Sequence, residues 1–271
     1  MLKLLCVVLP LGWLLAGVVL TLVQRSLVFP GAGQPPLNPA WAAAVGAVPV
    51  DVPAADGTRL KGWLSGREHD RLILFFHSNG GSLSSSGELH RRLTRQGWAV
   101  LAITWRGYPG SDGAPTADGL RSDALGAYAY AHETLAIPEH RIAVFGHSLG
   151  GALAVHVAGK RSPGALVVDS SFSRLSDVVQ DKATRYPVRW LLWDEFDSVA
   201  LAPNIQTPTF VVHSTTDQVV PFAQGQALGR AFPNAEWAEL QGFDHNALVS
   251  MTDPSTHGRM RALLERAIPR R

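Results

Sequence analysis

Hydrophobic residues in this chain fall into short runs that alternate with longer amphipathic segments. Five runs of four to six residues, rich in Val, Ile, Leu and Phe, predict strands buried on both faces; they cover residues 72–76, 99–104, 142–145, 165–168 and 209–212. Helix-length segments lie between and after them, at residues 84–96, 117–134, 149–160, 173–193, 223–231 and 255–268. This alternation predicts an α/β fold, in which helices cover both faces of a mostly parallel central sheet.

Two further segments complete the predicted sheet. Residues 48–52 and 59–64 flank Asp56-Gly57, which is a strong signal for a tight turn, and so they predict a β-hairpin ahead of the parallel strands. Residues 235–240 predict the last strand. The hairpin is preceded by residues 31–39 (GAGQPPLNP), whose Gly and Pro content predicts a surface linker.

The first residues form a long apolar run. Twenty uncharged residues, 4–23, lie between Lys3 and Arg25, and as a helix they would span a bilayer core of roughly 30 Å. A cleaved signal peptide has a shorter apolar stretch and a small-x-small cleavage site, for which residues 15–17 (LAG) are only a weak candidate. The run therefore favours an uncleaved, single-pass membrane anchor over residues 1–24. The positive groups at its start favour a globular domain on the non-cytoplasmic side.

Composition narrows the range of partners. The 271 residues are 46% hydrophobic and 17% charged, which suits a globular core and argues against disorder. The formal net charge is +2 and the sequence has no basic block, so we expect no nucleic acid partner. Cys6 is the only cysteine, which excludes an internal disulfide and a thiolate metal cluster.

One short motif follows the predicted strand at residues 142–145. The sequence Gly146-His147-Ser148-Leu149-Gly150 has the pattern G-x-S-x-G, and a helix rich in small residues comes next. In this strand–turn–helix context the serine lies on a strained turn with its hydroxyl above the sheet, and the glycines avoid collisions between strand and helix. The pattern alone arises by chance, but its context favours a nucleophilic Ser148 over a structural turn.

A serine nucleophile needs a base, and the base needs an orienting carboxylate. Asp217 lies in the loop after the strand at 209–212, and His245 lies in the loop after the last strand. The order Ser, Asp, His, with spacings of 69 and 28 residues and each residue behind its own strand, predicts the catalytic triad Ser148, Asp217 and His245.

Two other aspartates are alternatives for the acid. Asp169 ends the strand at 165–168 and could face the same site, although the loop of Asp217 is longer and better placed to reach His245. Asp244 adjoins His245, but neighbouring residues on a turn cannot easily aim one side chain at the other's Nδ1. Asp217 is therefore the preferred acid, and Asp169 is its main rival.

An oxyanion that forms on the substrate needs two preorganised donors, which are usually backbone N–H groups. The N–H of Leu149, directly after the serine and at a helix N-terminus, is one candidate. The other comes from the loop after the first parallel strand, which begins His77-Ser78-Asn79-Gly80-Gly81. The amide of Asn79 is preferred, with Ser78 next, and a plain Gly-rich turn is the alternative interpretation.

Three segments of the chain resemble the small α/β-hydrolases that carry an N-terminal membrane anchor, a group that includes serine hydrolases removing palmitate from protein cysteines. The segments are LILFFHSNGGSLSSSGELHRRLTRQGWAVLAITWRGYPGSDG, RIAVFGHSLGGALAVHVA and PTFVVHSTTDQVVPFAQGQALGRAFPNAEWAELQGFDHNAL. The resemblance covers residues 48–268. It implies the α/β-hydrolase fold behind one transmembrane helix, the triad Ser148, Asp217 and His245, and oxyanion amides at Asn79 and Leu149.

The same resemblance sets the expected domains and marks one departure. We expect an anchor at residues 1–24, a linker at 25–46 and an α/β-hydrolase catalytic domain at 47–271. Ser78 stands where the family usually has Gly, which leaves the second oxyanion donor open. About thirty residues, 173–203, are available for a lid, which is too few for a large cap domain. Within them the sequence WLLW, residues 190–193, could contact an acyl chain or simply pack in the core.

These features predict a serine hydrolase that cleaves carboxylic ester or thioester bonds through an acyl-enzyme, on lipid-like or acylated substrates near a membrane. A serine peptidase of the same fold is an alternative, and a catalytically silent, membrane-tethered binding module is another. We expect no cofactor, and no metal because the histidines lack metal-ligand spacing. The expected partners are a small-molecule or acylated substrate and the membrane, while the sequence leaves the oligomeric state open.

Overall fold

The computed structural model describes residues 2–35, 38, 40–183 and 186–271, without the side chains of residues 2–12, 14 and 249. Within these residues one sheet has eight strands in the order β1-β2-β4-β3-β5-β6-β7-β8. The strands are β1 Val48–Pro53, β2 Arg59–Ser65, β3 Leu72–Phe76, β4 Ala99–Ile103, β5 Ile142–His147, β6 Ala165–Asp169, β7 Thr209–Ser214 and β8 Ala235–Leu240. β2 pairs antiparallel with β1 and β4, and all other pairs are parallel, which confirms the predicted mostly parallel sheet.

The helices lie on both faces of this sheet. They are α1 Leu2–Val28, α2 Ala40–Ala44, α3 Gly87–Arg95, α4 Ala117–Ala129, α5 Leu149–Ala158, α6 Leu175–Lys182, α7 Val188–Leu191, α8 Ser198–Leu201, α9 Phe222–Ala231, α10 Val249–Thr252 and α11 Pro254–Ala267. In the described residues, the predicted helix at 173–193 is divided into α6, which ends at Lys182, and α7, which begins at Val188. This broken segment, residues 173–203, is called the lid segment below.

Strand β3 shows how the two cores form. Leu72, Leu74 and Phe76 point into one cluster of buried residues, which contains the inner faces of α4 and α5. Ile73 and Phe75 point into the other cluster, which contains residues of α3 and α11. Every side chain of β3 is buried, so the strand is hydrophobic at successive positions rather than at alternate ones. The parallel strands end at a common edge, where the loops that follow them meet.

The N-terminal apolar run folds as α1, but its second half packs on the domain. The Trp13 ring stacks on Tyr186 at a centroid distance of 5.1 Å. Arg25 Nε lies 3.0 Å from the buried carboxylate of Asp194. Gln24 is buried and bonds the backbone of the lid segment. The contacts of α1 with the domain are therefore made by Trp13 and by the polar residues that follow the apolar run, which hydropathy alone does not reveal.

This corrects the membrane predictions. Among the residues that the structure describes, no helix has both the length and the apolar character that crossing a bilayer requires. The predicted transmembrane anchor at residues 1–24 and, with it, the predicted non-cytoplasmic location of the catalytic domain are therefore wrong, and the prediction of the membrane as a partner is not supported. The domain boundaries at 24 and 46 stay predictions. Met1 of the predicted anchor lies outside the described residues, as do Pro36, Leu37 and Pro39 of the predicted linker.

Candidate active site

The turn between β5 and α5 is very tight. A Cβ added to Gly146 would lie 2.1 Å from the Gly150 carbonyl oxygen, and one added to Gly150 would lie 2.0 Å from the Phe76 carbonyl oxygen. Between these glycines Ser148 has φ 55° and ψ −117°, a conformation that L-residues rarely adopt. The glycines of the motif are therefore required by close backbone approach, and the strain falls on the serine.

Neighbouring groups hold this strained residue in place. The Ser148 N–H donates to the Asp169 carbonyl oxygen at 2.9 Å, and the Ser171 hydroxyl donates to the Ser148 carbonyl oxygen at 2.8 Å. Both partners belong to the end of the adjacent strand β6 and the loop after it. The end of the neighbouring strand and the loop after it thus fix the backbone of Ser148.

Ser148, His245 and Asp217 lie together at the carboxyl edge of the sheet. The Ser148 hydroxyl lies 2.8 Å from His245 Nε2, and His245 Nδ1 lies 2.7 Å from Asp217 Oδ2. All three residues are buried. The structure thus joins the three predicted residues into one line of hydrogen bonds, with the imidazole in the middle.

Asp217 is held as a carboxylate by its own loop. Oδ1 accepts the N–H groups of Val219 and Val220 at 2.8 and 2.9 Å. Oδ2 accepts from His245, and Nε2 of the buried His213 lies 3.3 Å away. Burial raises the pKa of Asp217, but the hydrogen bonds from His213, His245 and Val220 outweigh it and hold the pKa well below the usual range. The carboxylate therefore stays charged opposite the imidazole.

The two rival aspartates are engaged elsewhere. Asp169 accepts the Ser170 hydroxyl at 2.9 Å and the Ser250 N–H at 2.8 Å. Asp244 caps the short turn that begins at His245 by accepting the Asn246 N–H at 2.8 Å. Of the three candidate acids, it is Asp217 that bonds the imidazole.

Side chains of neighbouring segments fix the backbone of the loop that carries His245. His147 Nε2 donates to the His245 carbonyl oxygen at 2.9 Å, and the Ser214 hydroxyl donates to the Phe243 carbonyl oxygen at 2.8 Å. Burial lowers the pKa of His147, so this side chain is uncharged at neutral pH. Sequence reasoning assigned His147 no role, although its place inside the G-x-S-x-G motif was a signal that it faces the site.

The loop after β3 brings a second backbone segment to the serine. The Ser78 carbonyl oxygen accepts from His77 Nδ1 at 2.7 Å and from the Gly81 N–H at 2.9 Å. Because the C=O and N–H of a trans peptide point in opposite directions, the Asn79 N–H points away from these donors. Burial lowers the pKa of His77 to about 4, so its ring stays neutral. Its proton lies on Nδ1, because the Ser78 carbonyl oxygen can only accept. Ser78 has no positive φ, which explains why a side chain is tolerated there.

Asn79 and Leu149 both line the cavity that contains Ser148 and His245, which has a volume of about 250 Å³. Leu149 is the first residue of α5, where an N–H has no intrahelical acceptor. The Asn79 side chain is fixed, since Tyr108 donates to its Oδ1 at 2.5 Å and its Nδ2 donates to the Val28 carbonyl oxygen. The end of α1 therefore abuts the site, which no local sequence pattern indicated. In the described part of the chain, no cluster of three or more His, Cys, Asp or Glu is arranged to hold a metal ion.

Comparisons with known proteins place the chain in a family. Residues 71–187 match the sequence profile of the alpha/beta hydrolase fold. The chain is 33% identical over 227 residues to an uncharacterized protein of Mycobacterium tuberculosis, covering 82% of this chain and 80% of that one. It is 27% identical over 177 residues to the lysophosphatidylserine lipase ABHD12 of Danio rerio, covering 58% and 46%. The protein belongs to the α/β-hydrolase family.

Solved structures agree on the fold. The esterase Pf2001 of Pyrococcus furiosus superposes with a TM-score of 0.70 at 18% identity, covering 87% of this chain and 97% of that one. An alpha-beta hydrolase of Vibrio vulnificus superposes with a TM-score of 0.71 at 19% identity, covering 89% and 93%. These likenesses show the fold, and membership of the α/β-hydrolase family identifies the protein as a hydrolase enzyme.

Proposed function

We propose that this protein is a serine hydrolase that cleaves carboxylic ester or thioester bonds through an acyl-enzyme. One observation carries the proposal: a strained, buried Ser148 whose hydroxyl is 2.8 Å from His245 Nε2, in an imidazole whose Nδ1 is 2.7 Å from the Asp217 carboxylate. A structural serine has no need of an aligned base and acid, whereas a nucleophile does.

In the proposed acylation, Ser148 Oγ attacks the carbonyl carbon of the substrate while His245 Nε2 takes the hydroxyl proton. Asp217 keeps Nδ1–H in place and stabilises the imidazolium that results. The N–H groups of Leu149 and Asn79 bind the oxyanion of the tetrahedral intermediate. When the intermediate collapses, the C–O or C–S bond breaks and His245 returns the proton to the leaving alcohol or thiol.

Deacylation follows the same path with water in place of the serine. His245 takes a proton from water, the hydroxide attacks the acyl carbon, and the proton returns to Ser148 Oγ as the acid leaves. The same two N–H groups serve again, since the charge develops on the same oxygen.

The walls around Ser148 support an acylated, lipid-like substrate. Leu175 and Val178 line the cavity from the lid segment and Phe172 lines it from the loop just before that segment, while Val219 and Val220 line it from the loop of Asp217. Such a surface favours an apolar acyl group over a charged one. The lipase among the relatives acts on a lipid by its name, which agrees with this choice.

Steady-state hydrolysis of p-nitrophenyl butyrate tests the proposal. We expect Ser148→Ala and His245→Ala each to lower kcat by about 10⁴-fold or more, because the nucleophile and the base act as one unit. The matched control is Ser84→Ala, whose serine is exposed and lies outside the site. A folded Ser148→Ala protein that retains wild-type hydrolysis would overturn the proposal, and preferred turnover of a peptide anilide would favour a peptidase.

A further inference from the structure

A second cavity, of about 170 Å³, lies between α1 and the lid segment. Its walls come from two parts of the chain that are far apart in sequence. Leu20, Leu27 and Val28 belong to α1, while Val179 and Leu191 belong to α6 and α7. The triad chemistry leaves this cavity unexplained, because none of its lining residues belongs to the triad.

The polar side chains in these walls are already engaged. Thr21 Oγ1 donates to the Gly17 carbonyl oxygen at 2.9 Å. Gln24 Nε2 donates to the carbonyl oxygens of Thr21 at 2.9 Å and Leu191 at 3.1 Å, and Gln24 Oε1 accepts the Trp193 N–H at 2.8 Å. What these walls present to an occupant is therefore hydrocarbon, and a polar occupant would lose its hydration without compensation.

The second cavity adjoins the first. Val28 lines both of them, and on the lid segment Val178 lines the cavity of Ser148 while its neighbour Val179 lines the second. From Val28 back to Gly17 the second cavity follows eleven residues of α1, or about 16 Å at the helical rise. A Cβ on Gly17 would lie 3.2 Å from the Tyr186 ring, so Tyr186 closes the far end.

Another cavity adjoins that of Ser148 through different residues. A third cavity, of about 240 Å³, shares Ser78, Gly80 and Asn246 with the cavity of Ser148. Ser85 and His147 line it as well. The second cavity thus suits the apolar end of a substrate, and the third cavity suits its polar end.

We infer that the second cavity is an acyl-chain subsite, a conclusion that rests on the proposed ester or thioester hydrolysis. The substrate carbonyl lies at Ser148, and an acyl chain of about a dozen carbons extends past Val28 into the space between α1 and the lid segment. The polar leaving group takes the third cavity, which Ser85 and His147 line. The substrate class is therefore long-chain acyl esters or thioesters, and α1 is one wall of their binding site.

The test compares kcat/KM for p-nitrophenyl dodecanoate with kcat/KM for p-nitrophenyl acetate, measured on the full chain. Leu20→Trp fills the subsite from α1, and Val179→Trp fills it from the lid segment. Leu22→Trp is the matched control, because Leu22 is 70% exposed and does not line the cavity. We expect the dodecanoate-to-acetate ratio to fall by about tenfold or more in both filled variants, with KM for dodecanoate rising, and to stay at the wild-type value in Leu22→Trp.

The outcomes separate this inference from the proposed function. A wild-type ratio in both filled variants, or an equal fall in Leu22→Trp, would overturn the subsite while Ser148-dependent acetate hydrolysis still supports the enzyme. Absence of Ser148-dependent hydrolysis of both esters would overturn the proposed function and the subsite with it. Leu20→Trp and Val179→Trp change different walls of the cavity. If one of these variants does not fold, the other still tests the subsite.

Discussion

The triad and the proposed acyl subsite are built in different ways. Ser148, Asp217 and His245 each follow a strand of the same sheet, so backbone pairing sets their positions. The subsite is formed where α1 meets the lid segment, through the hydrogen bonds of Gln24 and the ion pair of Arg25 with Asp194. On the proposed function, the chemistry therefore depends on the sheet, whereas selectivity depends on a contact between two peripheral segments.

Of the predictions that compare these two regions, the largest effect should come from replacing Asp217, the proposed acid. Asp217→Asn should lower kcat by about 10³- to 10⁴-fold, because an amide cannot hold the imidazole in the same tautomer or stabilise its charge. Asp244→Asn and Asp169→Asn are the controls, since neither aspartate bonds His245. Ester kinetics on the three folded variants decide between the candidates. A larger loss in Asp169→Asn than in Asp217→Asn would contradict the assignment.

Low pH should lower the free energy of unfolding through the histidines buried around the sheet. His90 is fully buried against Ser65, and burial lowers its pKa to about 4. The unfolded chain binds this proton below about pH 6.5, so the free energy of unfolding is highest above that pH and falls as pH drops towards 4. For His90 alone the loss between pH 6.5 and 5 is about 2 kcal/mol.

His90→Gln isolates that contribution. The variant should be less stable than wild type at pH 7, since its packing changes, but its free energy of unfolding should fall less between pH 6.5 and 5. Urea titrations at both pH values measure the difference. The α1 contact, residues 13–28 with the lid segment, contains no histidine. Equal pH dependence in the two proteins would show that His90 is protonated to the same extent before and after unfolding.

The α1 contact should respond to loss of Gln24. Gln24→Ala leaves the Leu191 carbonyl and the Trp193 N–H without their partner, and we expect the free energy of unfolding to fall by about 1–2 kcal/mol. The dodecanoate-to-acetate ratio should fall with it, while triad geometry is untouched. Leu22→Ala, at an exposed position of the same helix, is the control. Unchanged stability and an unchanged ratio would show that α1 does not depend on this contact.

The smallest expected effects are those of single substitutions in the WLLW sequence, residues 190–193. Leu191 and Leu192 line the second cavity, whereas Trp190 is 90% exposed. Leu191→Ala should lower kcat/KM for dodecanoate by roughly threefold to tenfold, because apolar surface in contact with the chain is lost. Trp190→Ala should leave kcat/KM within about twofold of wild type, as expected for an exposed side chain outside the cavity. A larger effect at Trp190 would place the acyl chain on the outer surface.

The sequence predicted the sheet region well because its signals are local. The bounds predicted for β3 and β8 match those observed, and the G-x-S-x-G motif marks a turn that only glycines permit. Asp217 was also predicted from the order of residues along the chain, since Ser148, Asp217 and His245 each follow a predicted strand. Tyr108 and His213 were missed, because their contacts with Asn79 and Asp217 arise only when separate loops meet.

The α1 contact could not be predicted in the same way. An apolar helix has the same composition whether lipid or protein covers it, so the hydropathy of residues 4–23 led to a membrane anchor. The contacts that α1 makes with the rest of the protein, such as the bond from Gln24 to Leu191, join residues 167 positions apart in the chain. No periodicity within either segment carries that information, and the broken helices of the lid segment gave only a weak pattern.

The most direct test of the central claim is covalent labelling of the full chain by a fluorophosphonate, followed by peptide mass spectrometry. The account predicts one phosphonyl adduct, on Ser148 Oγ, that forms as ester hydrolysis is lost and is absent from folded Ser148→Ala. Labelling should be strongly slowed in His245→Ala, because the serine then lacks its base. An adduct on another residue that accompanies the loss of activity, or full hydrolysis with Ser148 completely labelled, would contradict the account.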